Sequence, residues 1–446
     1  MTDSKRPLDG SIGHVTVADR RQFLLGAASA AFGVTALGLS SGLGVRNAHA
    51  KGRAEISFAS ASFFGKETFG DLVNAFNESQ DRIMVKYIPL PPPSSSTEVY
   101  QGLIQQLARH NGTPDVFSQD AIWVAGFAAA GWALPLDQYF AKDARSVYTA
   151  GAVAACTYQE KLVGLPWFLD TGMLYYRKDI LEKHGGKVPE TWEDMARIAA
   201  AAQSANDVKF GYLWQGKQAE VLVCDAVEII TSNSGSILAA DGKSAVINEK
   251  AAVEAIQFLY DTMVKSKISP QNVLSWDEEP SRQPFTSGEA MFMRNWAYVY
   301  SIAQDPKASQ VVDKVGVAPL PHFPGSRSAA CLGGYQLGVN ANSKQREAAI
   351  EFLTWLSSPE TQQRIALNFG LAPTRPAVLA NAKVKQERPF MASLEHVFSG
   401  ATPRPITPKY AKVTLALQSG ISKALVSGSV QAEMDACAKQ INKIIG

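Results

Sequence analysis

Glu55-Ile56-Ser57-Phe58-Ala59 has the length and apolar content of a strand, and beyond it Phe69, Leu72, Val73 and Phe76 fall at helical spacing between Glu67 and Phe76. Arg82 to Ile88 reads as a second strand, Thr97 to His110 as a second helix and Pro114-Asp115-Val116-Phe117 as a third strand. Between them, Pro89 to Ser96 holds Leu90, three further prolines and three serines, which predicts a fixed, extended loop. Later helix starts carry their own signals. Thr191 precedes Trp192-Glu193-Asp194 and can accept a backbone N–H bond, and Ser358 is followed by Pro359 in the first turn. Strand–helix alternation of this kind implies α/β architecture.

The first fifty residues stand apart from that pattern. Arg20-Arg21-Gln22-Phe23-Leu24-Leu25 is a twin arginine ahead of apolar residues, a Gly/Ala-rich stretch follows, and Ala48-His49-Ala50 is a small-x-small cleavage pattern. We therefore expect 1–50 to be a twin-arginine signal peptide cut after Ala50, delivering a soluble periplasmic chain. The 396 residues that remain suggest two lobes rather than one core. The signal takes five basic and three acidic residues with it, leaving 38 of each, a formally neutral chain. Neutrality without basic runs argues against nucleic acid or an anionic membrane as partner. Cys156, Cys224, Cys331 and Cys437 lie far apart, so no zinc knuckle or CxxC motif is formed. In an oxidising compartment a Cys224–Cys331 bridge is the expected pairing, set against small buried thiols.

Strand–helix alternation also suits nucleotide-binding enzymes and barrels, but their chemistry is missing. No G-x-G-x-x-G follows a strand, and Asp241-Gly242-Lys243-Ser244 lacks the glycine of a phosphate loop because Ile237 stands in its place. Beyond the first fifty residues there is no G-x-S-x-G elbow and no H-E-x-x-H, and His110, His184, His322 and His396 are scattered singly. No metal, cofactor or catalytic residue is predicted. Paired carboxylates leave a secreted glycosidase as the enzymatic alternative.

Five segments set aromatic or flexible residues beside polar ones: Asp120-Ala121-Ile122-Trp123, Pro166-Trp167-Phe168-Leu169-Asp170, Arg294-Asn295-Trp296, Gly333-Gly334-Tyr335 and Pro403-Arg404-Pro405. Sugars need both kinds of group, because their C–H faces lie on aromatic rings and their hydroxyls seek carboxylate acceptors. Singly, a tryptophan is usually core and an aspartate after a strand is usually a cap.

Together with Leu165 to Asp179, Trp214 to Gln218, Phe292 to Trp296, Gly316 to Pro321, Cys331 to Tyr335 and Pro403 to Ile406, these segments resemble, in order, the family 1 extracellular solute-binding proteins of ABC importers, in particular their trehalose/maltose-binding branch. The resemblance implies a two-lobed periplasmic-binding-protein fold of type II, maltose-binding-protein-like, with three hinge crossings near Leu165–Asp170, Cys331–Leu337 and Ala372–Ala377. The lobes would be 51–167 with 335–373, and 170–332 with 377–446. It implies a periplasmic monomer that binds a disaccharide or related carbohydrate between the lobes without catalysis and delivers it to ABC permease and ATPase subunits of the inner membrane. A polyol or glycerophosphodiester is the alternative ligand. Carried over by position, Asp120, Asp170 and Glu67 are hydroxyl acceptors, Trp296 a stacking platform, Phe168 and Tyr335 pocket walls, Gly333 and Gly334 points of close backbone approach, and Arg404 a hydroxyl donor.

Overall fold

In the first strand Ile56 and Phe58 turn inward from β1 (Ala54–Ala61), and Phe58 packs edge-on to Trp167 and Phe352, with ring centroids 5.9 and 5.4 Å apart. The computed structural model describes residues 52–63 and 67–446, so the expected export signal and its cleavage after Ala50 lie outside the described residues. Parallel to β1 runs β2 (Ile83–Leu90), with β3 (Val116–Asp120) on its other side. A small hairpin, β4 (Thr157–Tyr158) and β5 (Lys161–Leu162), precedes β6 (Leu165–Thr171). The chain continues through β7 (Met173–Arg177), β8 (Phe210–Leu213), β9 (Ala290–Asn295) and β10 (Val315–Ala318) to the long β11 (Ala330–Val339), then β12 (Ala372–Pro373) and β13 (Ala401–Pro403).

These strands make two main sheets. The first has the order β12-β6-β11-β3-β1-β2, with β13 joined to the start of β11, and the second runs β10-β7-β9-β8. Only Gly172 separates β6 in one sheet from β7 in the other. The chain returns between β10 and β11, and leaves again after β12, where Val378, Val384 and Leu394 pack with Met173, Tyr175 and Met293 of the second sheet. The chain therefore crosses between the sheets at β6–β7, before β11 and after β12, with β13 touching the first sheet only at the start of β11, which is the two-lobed α/β fold expected.

Period-two alternation distributes the second sheet between two cores. Leu174, Tyr212 and Phe292 face the helices Trp192–Ser204, Glu220–Thr231, Tyr410–Ser427 and Val430–Ile445, while Tyr175, Leu213 and Met293 face Phe285, Val299 and Phe390.

The local signals are obeyed with small shifts. The first helix spans Phe69–Ser79, because Thr68 and Asp71 form a reciprocal capping box that starts it two residues after Glu67. Thr191 accepts the Asp194 amide and Ser358 that of Thr361, as expected. The proline-serine segment differs: β2 continues through Pro89 and Leu90, which an edge strand tolerates, and helix resumes at Ser96 rather than Thr97. Among the described residues no helix is long and apolar enough to cross a membrane.

Candidate functional site

Strand register brings distant residues side by side. Tyr335 of β11 lies opposite Asp120 of β3 on one flank and Phe168 of β6 on the other, and Gly333 lies opposite Asp170. Neighbouring strands are about 4.8 Å apart, so these side chains share one patch at the sheet's rim. Trp296 follows the last residue of β9, and Asn295 pairs with Met173, two residues past Thr171. The result is a cavity of about 470 Å³ walled by residues of both sheets. Asp120, Phe168, Asp170, Trp296, Gly333, Gly334, Tyr335 and Arg404 all line it.

Glu67 does not line it. Its carboxylate takes two bonds from the Arg364 guanidinium, Nε at 2.8 Å and Nη2 at 2.6 Å, and one from Asn368 Nδ2, which ties it to the helix Pro359–Phe369.

Asp170 Oδ1 accepts the amides of Thr171 (2.9 Å) and Ala297 (3.4 Å), while burial pushes its carboxyl up to about 7. Asp120 accepts from Arg404 Nη2 at 2.8 Å, but burial outweighs that charge and still raises its pKa. Arg404 gives its other terminal nitrogen to Glu220 at 2.8 Å, and Glu220 is held in turn by Tyr410 and Thr414. Both Arg404 termini are thus committed to carboxylates, one on β3 and one on the helix Glu220–Thr231, and Nε is buried without a protein partner.

Gly334 has φ +111°, and a Cβ there would stand 2.4 Å from the Phe168 carbonyl oxygen, so the strand pairing itself demands glycine. A Cβ on Gly333 would meet the Trp296 ring at 3.4 Å. The tryptophan indole donates to Glu278 at 3.3 Å.

Sequence reasoning missed Phe63, Glu220, Glu278, Glu279 and Tyr298, all of which line the cavity. Phe63 makes edge contacts with Phe168 and Tyr335 at 5.1 and 5.2 Å, and Tyr298 donates to Glu279 at 2.6 Å. Trp276-Asp277-Glu278-Glu279 has the same aromatic-beside-acid signature as the segments that were found. Glu220 had no such neighbour and reads only as a first-turn helix acid.

All four cysteines are buried and free, so the expected Cys224–Cys331 bridge is not formed. The two thiols instead meet inside the apolar cluster, where a hydrogen bond with Cys331 and burial push the Cys224 thiol well up. Thiol titration of the unfolded, unreduced protein is expected to give four groups. A count of two would restore the bridge.

A family model described as bacterial extracellular solute-binding protein matches residues 29–363. A probable ABC transporter-binding protein of Deinococcus radiodurans is 35% identical over 357 residues, 77% of this chain and 82% of that one. The mannitol-binding protein of Pseudomonas aeruginosa is 22% identical over 70% of each chain. Among solved structures, maltose-bound T. maritima MalE3 superposes with a TM-score of 0.79 at 37% identity, covering 87% of this chain and 99% of that one. A solute-binding protein of Agrobacterium radiobacter K84 in complex with ribitol gives 0.77 at 21% identity, covering 88% and 99%.

Proposed function

Because this chain belongs to the bacterial extracellular solute-binding proteins of ABC transporters, we propose that its cavity holds a disaccharide or related carbohydrate. The observation that carries this reading is the meeting of Asp120, Asp170 and Trp296 at one cavity from three separate strand ends. A ring face for C–H groups beside carboxylate acceptors for hydroxyls is what a sugar needs. The 37% identity with a protein solved with maltose supports the same ligand class.

In this reading Asp120 and Asp170 accept hydroxyl hydrogen bonds, Trp296 stacks on a sugar ring, Phe168 and Tyr335 form the wall, and Gly333 and Gly334 admit the sugar close to the backbone. Arg404 acts chiefly by fixing Asp120. The lobes are 51–167 with 335–373, and 170–332 with 377–446, a division supported by two large apolar clusters that fall on opposite sides of it, while Ala366, Leu367 and Ala372 pack across it with Met173, Tyr175 and Met293. Ligand touching both lobes shifts the equilibrium toward closure by its differential affinity for the closed form. The protein works outside the cytoplasm, as its family does. Its periplasmic address, export by the twin-arginine signal, monomeric state, absence of catalysis and delivery to a permease and ATPase complete the proposal.

The test is a melting panel of maltose, trehalose, mannitol, ribitol and glycerophosphodiesters. A ligand at about 100 times its dissociation constant adds about 2.7 kcal/mol to native stability, so a disaccharide is expected to raise the melting temperature by several degrees. A rise with mannitol or ribitol alone would replace the disaccharide by a polyol, the class named for two relatives. An unmoved curve for every member would sink the carbohydrate reading, and release of monosaccharide during incubation would revive the glycosidase.

A further inference from the structure

Arg294 and Glu228 are both buried, at 1% and 2% exposure, and neither lines the cavity. Glu228 takes two bonds from the guanidinium, Nε at 2.8 Å and Nη2 at 2.5 Å, and Gln215 Oε1 accepts a third from Nη1 at 3.2 Å. The plate so fixed lies under Trp296, with the guanidinium carbon 4.1 Å from the ring centroid. Glu278 holds the indole nitrogen at the ring's edge and Gly333 lies against its six-membered ring. The face opposite Arg294 is thereby left for the cavity.

The same carboxylate reaches the strand that returns to the first sheet. Glu228 Oε1 also accepts the Cys331 amide of β11 at 3.1 Å, two residues before Gly333. At the other crossing, Gly172 has no room for a Cβ, which would collide with Glu228 and Arg294 side-chain atoms at 2.0 and 2.5 Å. The ion pair is therefore packed against two of the places where the chain passes between sheets, as well as against the ring.

We infer that Arg294 is the positioning residue for Trp296, and that through Glu228 it couples the ring's orientation to the crossing strands. Buried ion pairs contribute little net stability over an apolar replacement, so stability alone does not explain a fully desolvated arginine here. A planar guanidinium held at three points supplies a flat, rigid support that lysine cannot. Pre-setting the ring removes an ordering cost from ligand capture.

This rests on the carbohydrate reading above, and its test separates the two. Arg294→Met with Glu228→Gln removes both hydrogen-bonded charges together, and the buried Asp225 carboxyl, 3.7 Å from Arg294, loses its ion-pair partner in that variant. Arg294→Lys keeps the charge and loses the plate, and serves if the double variant does not fold. Two quantities are measured: maltose affinity by calorimetry, and the 19F resonance of Trp296 in 5-fluorotryptophan-labelled protein, assigned by its loss in Trp296→Phe. We expect affinity to fall about tenfold and the Trp296 resonance to shift and broaden while those of distant tryptophans stay. Affinity within twofold of wild type, or a Trp296 resonance that does not move, overturns the inference. If wild-type protein binds neither maltose nor any member of the melting panel, the carbohydrate reading falls. In that case an unmoved resonance in either variant still overturns the positioning role, and a displaced one upholds it for whatever ligand the cavity takes.

Discussion

In the Trp296→Ala variant, maltose affinity is expected to fall about 100-fold or more while the ligand-free melting temperature stays within a few degrees. The ring is half-buried, lines the cavity and is supported by Arg294 at 4.1 Å and by Glu278 at 3.3 Å. Buried aromatic anchors of this kind cost about 2 to 4 kcal/mol when truncated, and each 1.4 kcal/mol is about tenfold in affinity. Truncation also opens the Arg294 guanidinium to the cavity, replacing an apolar platform by a charge. Folding survives because Arg294 keeps Glu228 and Gln215 as partners. Calorimetric titration decides the matter, and an affinity within threefold of wild type would remove Trp296 from the site.

Asp170→Asn is expected to separate binding from stability. The folded carboxyl titrates at about 7 against an ordinary 3.8, with burial the leading cause. Between those values the native protein binds the proton that the unfolded chain has released. Its contribution to stability is thus full below about pH 4 and lost as pH rises through about 7. Three units correspond to at most about 4 kcal/mol, reduced because the side chain is partly open to cavity water. At pH 8 the asparagine variant, which has no charge to desolvate, should melt a few degrees higher than wild type without ligand, and at pH 4 the difference should vanish. Affinity moves the other way. Ionised carboxylate is the stronger acceptor for hydroxyls, so the variant binds maltose at least tenfold more weakly at pH 8, and wild-type affinity declines as pH falls through 7. A variant that binds like wild type at pH 8 would exclude Asp170 as an acceptor, and equal melting at pH 8 would show the charge to be well solvated.

Much of the fold could be read from local chemistry. Thr191 and Ser358 announce helix starts because one hydroxyl satisfies one orphan amide, whatever the rest of the chain does. Of the nine site residues expected, eight meet at one cavity, and their signal was an aromatic or glycine beside a polar group at a strand's end. Glu67 fell away because its partners, the Arg364 guanidinium and the Asn368 amide, come from a helix some 300 positions later. Glu220 was invisible for a similar reason: its partners Arg404, Tyr410 and Thr414 are joined to it only by tertiary packing. The thiols show the limit of compartment reasoning. Oxidising surroundings permit a bridge, but two sulfurs buried in an apolar cluster can equally stay thiols.

The position of β11 has a consequence for how the molecule is made. It is hydrogen-bonded to β6 on one side and β3 on the other, yet it lies some 160 residues after β6 in the chain. Until Val339 has emerged from the ribosome, β3 and β6 present two bare edges that face a gap of one strand's width, and such edges invite pairing with other chains. A nascent chain ending before Ala330 should therefore remain protease-sensitive and bind chaperones, and completion of the first sheet should come as one late step once the last strand slots into the gap.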